Sequence, residues 1–210
     1  MGFIRVLPAI VSGVLLAGCN ASSGGGDVDV PLATDIAGSS FADVNADGTF
    51  NIILNESRGS KLYDKTNGNG VSFMVGANNN GGVRALSGLI DGTNVATPPT
   101  AGSATMSGAY ALMRATRIER ENGLTTWTSV GDIDSLDLIV DFAKGTVKND
   151  GGNLGVDGTF SGKGLTGTVL YRGVTGDLTG LVGENQTVGA FHGTSDNESQ
   201  VYGGGFIADR

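Results

Sequence analysis

One short segment carries side chains that could coordinate a metal ion. Asp43, Asn45 and Asp47 stand at alternate positions, and a glycine follows the last of them. This spacing matches the first half of an EF-hand loop, in which oxygen ligands converge because the glycine permits a sharp turn. The twelfth position should carry a bidentate acid, but it is Leu54. We therefore favour an Asp-Gly turn leading into a strand over residues 49–54, and we assign no metal site.

Residues able to perform covalent or acid–base catalysis are scarce. The chain has one histidine, His192, and one cysteine, Cys19, so Cys/His and multi-histidine metal sites are excluded. Ser195 and Asp196 beside His192 supply a Ser-His-Asp set, but triad members normally come from separate elements and no nucleophile-elbow motif is present. A haem site with His192 or a tyrosine as axial ligand is a further alternative. We expect no catalytic residue, no cofactor, and a His192 that packs in or on a β wall.

The single cysteine belongs to an N-terminal export signal. Arg5 supplies a positive charge, residues 6–16 form an apolar run, and Leu16-Ala17-Gly18-Cys19 is a small-residue cleavage site. The apolar run is too short to span a bilayer. The Leu-Ala-Gly-Cys ending resembles the bacterial lipobox, which implies cleavage before Cys19 and acylation of its thiol and new amino group. The alternative is an ordinary secretory signal with an incidental cysteine.

The lipobox resemblance implies an organisation for the first part of the chain. A signal peptide would cover residues 1–18, and a lipidated Cys19 would anchor the mature chain, because several acyl chains together give stable membrane binding. In Gram-negative lipoproteins an aspartate after the cysteine favours the inner membrane, so Asn20 indicates the outer membrane. Residues 21–29 are rich in Gly and Ser and predict a flexible tether, which we place at residues 19–33.

Composition excludes several protein classes. Glycine accounts for 37 of 210 residues without a collagen period, and charged residues make up only 16%, which is too few for a charge-rich disordered chain. The formal net charge of −8 argues against a nucleic-acid partner, because such a chain does not neutralise phosphates. The glycines are therefore expected at strand ends, bulges and barrel corners.

Apolar and polar residues alternate through the second half of the chain. A period of two places one set on a single face of an extended strand. The sets that share a parity are Leu136, Leu138, Val140 and Phe142; Leu154, Val156 and Phe160; and Leu165, Val169 and Tyr171. Short strands joined by Gly, Asn and Asp turns are typical of an antiparallel meander. We count eight strands between residues 104 and 207, with residues 125–142 forming one bulged strand or two.

The preceding segment, residues 34–99, predicts a smaller β unit. Its strand candidates are residues 50–54, 71–75 and 83–90, separated by Asn/Gly-rich turns. Three short strands form a poor independent core, so we expect them to pack against the larger unit. Pro98-Pro99 marks the boundary, because paired prolines cannot lie inside a sheet. The larger unit then covers residues 100–210.

A family resemblance follows the same order of segments. Residues 97–108, 140–142, 158–167 and 191–206 resemble successive hairpins of the transferrin-binding protein B-like lipoproteins. The resemblance covers roughly residues 86–210, with departures at Met106, where an aromatic is usual, and at His192, where tyrosine is common. It implies an all-β fold, an eight-stranded antiparallel β-barrel with a small N-terminal strand-rich handle, displayed at the outer membrane. The loops with which the larger relatives bind transferrin cannot be located in this chain.

These observations support two classes of function. The first is a non-enzymatic, outer-membrane-anchored binding module for a protein or for a solute such as an iron carrier, acting in iron or nutrient acquisition. The second is a structural or adhesive surface lipoprotein with no small-molecule ligand. A binding module should show one large exposed apolar or aromatic patch on its loops. The sequence assigns no ligand-binding residue, and the inward-facing residues predict a filled barrel better than a cavity.

The lipid anchor can be tested by replacing one residue. Cys19→Ser should leave the chain uncleaved at this site or release it without a lipid, because the acyl chains are the only membrane anchor that the sequence provides. Fractionation of cells expressing the variant, compared with the unaltered chain, measures this. A Cys19→Ser protein that still sediments with the outer membrane would contradict the lipoprotein interpretation.

Overall fold

The computed structural model describes residues 37–77, 82–119, 125–149 and 151–210. These residues form twelve β-strands. Within these ranges no helix has the length and apolar character needed to cross a membrane. The predicted all-β class is confirmed.

The first four strands form a separate sheet, the handle. They are β1 (Gly38–Phe41), β2 (Asn55–Asp64), β3 (Asn69–Ala77) and β4 (Val83–Leu89). Their spatial order is β1-β4-β3-β2, with β1 parallel to β4 and the other pairs antiparallel. The sequence predicted β3 and β4 but missed the two outer strands. Both lie at edges of the sheet, where strict apolar–polar alternation is not required.

The remaining eight strands form a closed antiparallel barrel. They are β5 (Ser103–Glu119), β6 (Thr125–Asp141), β7 (Thr146–Lys148), β8 (Leu154–Ser161), β9 (Gly164–Tyr171), β10 (Val174–Val182), β11 (Gln186–Thr194) and β12 (Gln200–Asp209). The predicted eight-stranded barrel is confirmed. Residues 125–141 form one strand whose register against β5 runs without a shift, so the bulge that we considered is absent from this pair.

The barrel interior is filled by side chains. Three tyrosines and two phenylalanines are its largest fully buried members: Tyr110, Tyr171, Tyr202, Phe191 and Phe206. Glycines on the neighbouring strand make room for two of these rings, because a Cβ at Gly189 would overlap Phe206 and a Cβ at Gly193 would overlap Tyr202. Large rings opposite glycines let the interior reach close packing without a cavity. The parity of Leu136, Leu138 and Val140 places them in the same core.

The handle lies directly on the outer face of β11, β12 and β5. Leu62, Val71 and Phe73 of the handle pack against Ala111, Val188 and Ala190 of the barrel. The approach is close because β12 presents Gly203 and Gly205 to the handle. A Cβ at Gly203 would lie 2.7 Å from the backbone oxygen of Leu86, and a Cβ at Gly205 would overlap the Val71 side chain.

A polar network fastens one end of this interface. The buried Gln186 amide nitrogen donates to Asp64 of the handle and to Asp209 of the barrel, at 2.8 Å each. The Asn69 amide donates to the Gln186 carbonyl oxygen. Burial raises the pKa of Asp209, whereas the hydrogen bonds from Gln186 and from the residues after Asp64 lower the pKa of Asp64 despite its burial.

Beyond its short pairing with β7, strand β6 contacts the end of β9 and the residue before β8 through side chains and not, among the described residues, through backbone pairing. The Tyr171 hydroxyl donates to the Asp132 carboxylate at 2.6 Å, and Arg172 lies 3.8 Å from the same carboxylate. The Asn153 amide donates to Asp134 at 3.1 Å. Beside them, the Tyr110 hydroxyl is buried with no hydrogen-bond partner of normal geometry in the described part of the chain, although the Asn153 amide lies near enough to lower the Tyr110 pKa slightly.

The two tyrosines allow a matched test of this network. Tyr171→Phe should destabilise the protein by about 1–3 kcal/mol, because it removes a hydrogen bond to a carboxylate. Tyr110→Phe should change stability by less than about 1 kcal/mol, because its hydroxyl has no such partner to lose. Urea unfolding of both variants measures the difference. Equal destabilisation by the two variants would contradict the assigned network.

Alkaline unfolding tests the burial of Tyr110. Desolvation, followed by the Asp132 and Asp134 carboxylates, raises the pKa of Tyr110 to about 12, against 10.0 for an ordinary tyrosine. The contribution of this proton to stability is therefore fully present below pH 10. It should fall by about 1.4 kcal/mol per pH unit between pH 10 and 12, because the unfolded chain releases the proton first. Tyr110→Phe should make this part of the stability profile less steep, while the raised pKa values of Tyr171 and Tyr202 leave some slope. An unchanged slope would contradict the assignment.

Candidate functional site

The loop between β1 and β2 crosses the outer face of the handle sheet. Its backbone is held to the sheet at several points. The Ala42 amide donates to the Ser87 carbonyl at 3.0 Å, the Lys61 ammonium donates to the Asp47 carbonyl at 2.7 Å, and the Ser72 hydroxyl donates to the Gly48 carbonyl at 2.7 Å. The handle therefore has the barrel on one face and this loop, residues 42–54, on the other.

A small apolar core lies beneath the loop. Val44 and Leu54 of the loop are buried, as are Leu86 and Ile90 from β4 and the residue that follows it. An isolated bridge joins Val44 to Phe50 and another joins Val44 to Ile90. The strand predicted for residues 49–54 is wrong. Its apolar run divides between a buried Leu54 and exposed neighbours, whereas a strand would place alternate residues on one face.

Two isoleucines of this loop project from the surface. Ile53 is 85% exposed and Ile52 is 48% exposed. They border a cleft of about 390 Å³ whose floor is the handle sheet, with Phe73 and Met74 among its lining residues. We call Phe50, Ile52, Ile53 and Met74 the handle ledge. Among the large hydrophobic residues in the described ranges, Ile53 is the most exposed.

The handle ledge suits an apolar contact. A surface isoleucine on a loop that is hydrogen-bonded to a sheet is presented at little further entropy cost when a partner binds. Lys61 is the charged residue that lines the cleft, and its ammonium already donates to the Asp47 carbonyl. The sequence missed the ledge, because an apolar run reads as a buried strand when tertiary burial is unknown.

The calcium-loop candidate forms a tight turn. The Asp47 carboxylate accepts hydrogen bonds from the Thr49 amide at 2.9 Å and the Thr49 hydroxyl at 2.7 Å, and these bonds lower the pKa of Asp47. The Asn45 amide donates to the same hydroxyl at 2.9 Å, and Gly48 adopts a φ of 86°. Two of the three predicted ligands are thus engaged with Thr49. Asp43 lines a separate surface cleft together with Asn45, Asn51 and Asp91.

His192 lies between the barrel wall and the handle. Its Nδ1 is 3.0 Å from the Ser39 hydroxyl, which is also 2.7 Å from the Thr194 hydroxyl. Phe41 packs edge-on against the ring at a centroid distance of 4.3 Å. Burial lowers the pKa of His192, while the Asp177 carboxylate acts in the opposite direction. The expected packing of His192 at a β wall is therefore observed, with the handle strand β1 as its cover.

The Ser-His-Asp set considered from the sequence does not assemble. Ser195 donates to the Asn197 side chain at 2.9 Å and accepts from the Gln200 amide at 3.0 Å, within its own turn. The serine that meets His192 is Ser39, which is 153 positions away in the chain. No sequence signal indicated that contact, because it depends on how β1 docks on β11.

Two further sites considered from the sequence are the lipidation site and a metal site. Cys19, the predicted lipidation site, lies outside the described residues. In the ranges that the structure describes, no group of three or more His, Cys, Asp or Glu side chains is arranged to hold a metal ion.

Comparisons with known proteins agree with the fold. No family model matches the chain, and no curated relative matches it by sequence. The chain is similar to the structure of transferrin binding protein B from Haemophilus parasuis Hp5 (a Tyr-167-Ala and Trp-176-Ala double mutant), with a TM-score of 0.50 and 17% identity over 75% of this chain. The match covers 36% of that protein's chain. The haemoglobin receptor HpuA from Kingella denitrificans also matches, with a TM-score of 0.40 and 15% identity over 78% of this chain and 72% of the receptor.

The resemblance to transferrin-binding protein B is confirmed at the level of the fold. The chain spans about a third of the length of that neighbour, at 36%.

Calcium titration tests the interpretation of the turn. Any affinity should be weak, on the order of millimolar, because Asp47 and Asn45 already bond Thr49 and the bidentate acid is missing. Isothermal titration of the chelator-treated protein, with Asp43→Ala for comparison, measures this. A micromolar isotherm that disappears in Asp43→Ala would make this turn a metal site.

Proposed function

We propose that this protein is a non-enzymatic surface lipoprotein that captures a protein partner through the handle ledge. The observation that carries the proposal is Ile53, which is 85% exposed on a loop hydrogen-bonded to the handle sheet. Contiguous exposed apolar residues that are rimmed by polar residues mark interaction sites. The binding class predicted one large exposed apolar or aromatic patch on the loops, and the ledge is a small exposed apolar patch on a loop.

The energetics of the ledge favour a macromolecular partner. Burying one isoleucine side chain stabilises a complex by about 1.5–3 kcal/mol, so Ile52 and Ile53 together could supply a binding hot spot. Their surroundings supply a polar rim, with Asn51, Asn55 and Ser57 exposed beside them. An apolar centre with a polar rim is the usual composition of a protein–protein interface.

A structural or adhesive lipoprotein without a specific ligand is the second candidate. It requires no particular exposed side chain, so it would not explain why Ile53 is held outward while Leu54 is buried in the same loop. We therefore rank protein capture first. A solute such as an iron carrier is less well supported, because the aromatic side chains of the barrel interior leave it closely packed.

The proposed arrangement places this module at the end of a lipid tether. The signal peptide would be residues 1–18, and lipidated Cys19 would begin a tether through residue 33. The handle, residues 34–99, and the barrel, residues 100–210, would then stand clear of the outer membrane. Gly/Ser-rich segments behave as flexible linkers, which suits capture of a large partner from solution.

The comparison supports the same class of function without identifying the partner. Transferrin binding protein B is named for its ligand, and its fold matches over 75% of this chain. A role in iron or nutrient acquisition is the setting that we propose for the capture of a protein.

Site-specific crosslinking tests the proposal directly. A photo-reactive phenylalanine derivative at position 53 should crosslink a discrete protein when cells displaying the full chain are incubated with transferrin, haemoglobin or whole serum. The same residue at position 170 serves as the control, because Leu170 is 51% exposed on barrel strand β9 and does not belong to the handle. Failure to crosslink any protein at position 53, or equal crosslinking at both positions, would contradict the proposal.

The contribution of the ledge can then be measured with the crosslinked partner. Ile53→Ser should weaken binding about tenfold or more, as expected for a hot-spot residue. It should change the free energy of unfolding by less than about 0.5 kcal/mol, because the side chain is mostly exposed. Leu170→Ser is the matched control and should leave the affinity unchanged. Equal affinity of the two variants would remove the ledge from the interface.

A further inference from the structure

The barrel strand β6 has an unpaired edge over part of its length. It pairs with β5 along all of its length, but it pairs with β7 only at Ile139, Val140 and Asp141. Among the residues that the structure describes, residues 130–138 have no ladder partner on that second side. The Ser135 amide donates to the Asp134 carboxylate at 2.8 Å. The other backbone groups of residues 130–138 that point away from β5 can accept another strand.

An added strand would not have to break an existing ladder. Beside this part of β6, the end of β9 and the residue before β8 contact the strand through side chains alone. Tyr171 donates to Asp132, and Asn153 donates to Asp134. Neighbouring strands lie about 4.8 Å apart. A strand added along β6 must therefore displace the Tyr171 and Asn153 side chains from the two aspartates. The free edge is thus a feature of the strand lengths, because β7 has three residues and β6 has 17.

The edge combines apolar and acidic side chains. On the outer face, Ile133 is 47% exposed, and Asp137, two positions further along the same face, is also exposed. On the other face, Val130 is 51% exposed and is followed by Asp132 and Asp134. A strand laid along this edge would place its side chains opposite these residues, apolar beside the isoleucine and valine and charged beside the aspartates.

The aspartates of β6 determine which kind of segment can pair with its free edge. Pairing of β6 with a second copy of itself would bring aspartates of both copies together, and like charges on paired strands are destabilising. The chain as a whole carries a formal charge of −8, which also opposes self-association. A segment with alternating basic and apolar residues would instead meet complementary charge.

We propose that the free edge of β6 binds an extended basic–apolar segment of a protein partner by β-augmentation. Main-chain hydrogen bonds to residues 130–138 provide affinity, and the aspartates provide the preference for basic side chains. The proposal does not depend on the handle ledge, which lies on a different element. It adds a second contact surface of different chemistry.

A model peptide tests the proposal. The probe is an acetylated, amidated heptapeptide of alternating lysine and valine, added to the full chain carrying Cys19→Ser so that no acyl group is present. Amide chemical shifts in the NMR spectrum should change along residues 130–138, and edge amides that exchange with solvent in the free protein should become protected. Binding should weaken as salt rises, because the charges are exposed.

Two altered peptides separate main-chain pairing from charge. A peptide N-methylated on every residue has no amide proton to donate along either edge and should not bind. A peptide with glutamate in place of lysine should bind at least about fivefold more weakly. Equal binding of either altered peptide, chemical-shift changes confined to other strands, or edge amides already protected in the free protein would overturn the proposal.

A matched pair of variants locates the site. Ile133→Asn should weaken binding of the lysine–valine peptide about fivefold. Leu170→Asn removes an equally exposed side chain from β9, which pairs with strands on both sides, and should leave binding unchanged. Thermal melting checks that both variants are folded. Equal effects of the two substitutions, or dimerisation of the peptide-free protein through residues 130–138, would also overturn the proposal.

Discussion

The close contact between two glycines of β12 and the handle sheet is the constraint on which the rest of the structure depends. Gly203 and Gly205 face outward, and the backbone of Leu86 and the side chain of Val71 occupy the space that a Cβ would need. This approach lets the handle cover Ala111, Val188 and Ala190, which would otherwise form an exposed apolar face on the barrel. The barrel and handle therefore share one buried interface.

The contact also determines what the surface can present. The handle has the barrel wall beneath it, so its other face can support the loop of residues 42–54 through the Lys61 and Ser72 hydrogen bonds. The loop in turn buries Leu54 and leaves Ile53 outside. The layers are therefore barrel strand β12, then the handle sheet, then the loop of residues 42–54, and most of the handle ledge lies on that outer loop. The β6 edge arises differently, from the mismatch in length between β6 and β7.

The barrel was predictable from the sequence, because inward positions on its strands alternate with polar ones and the parity of residues such as Leu136 and Leu138 survives in the structure. The handle was harder. Residues 55–64 contain several charged and small residues because they form an edge strand, and the apolar run before them was misread as a strand. The glycines near the C-terminus were expected to serve bulges and corners, whereas Gly203 and Gly205 permit close approach of another sheet. The contact of His192 with Ser39 required the docked handle, which no local pattern encodes.

Hydrogen exchange on Gly203→Ala tests the central role of this contact most directly. The new methyl group would lie 2.7 Å from the Leu86 backbone oxygen, which cannot move aside as a side chain would. Gly151→Ala is the control, because nothing lies within 4 Å of its added Cβ. Gly203→Ala should lower the free energy of unfolding by about 1–3 kcal/mol, and amides of β3 and β4 should lose protection while those of β8 and β9 keep theirs. Unchanged exchange in the handle, or equal loss of protection throughout the barrel, would contradict it.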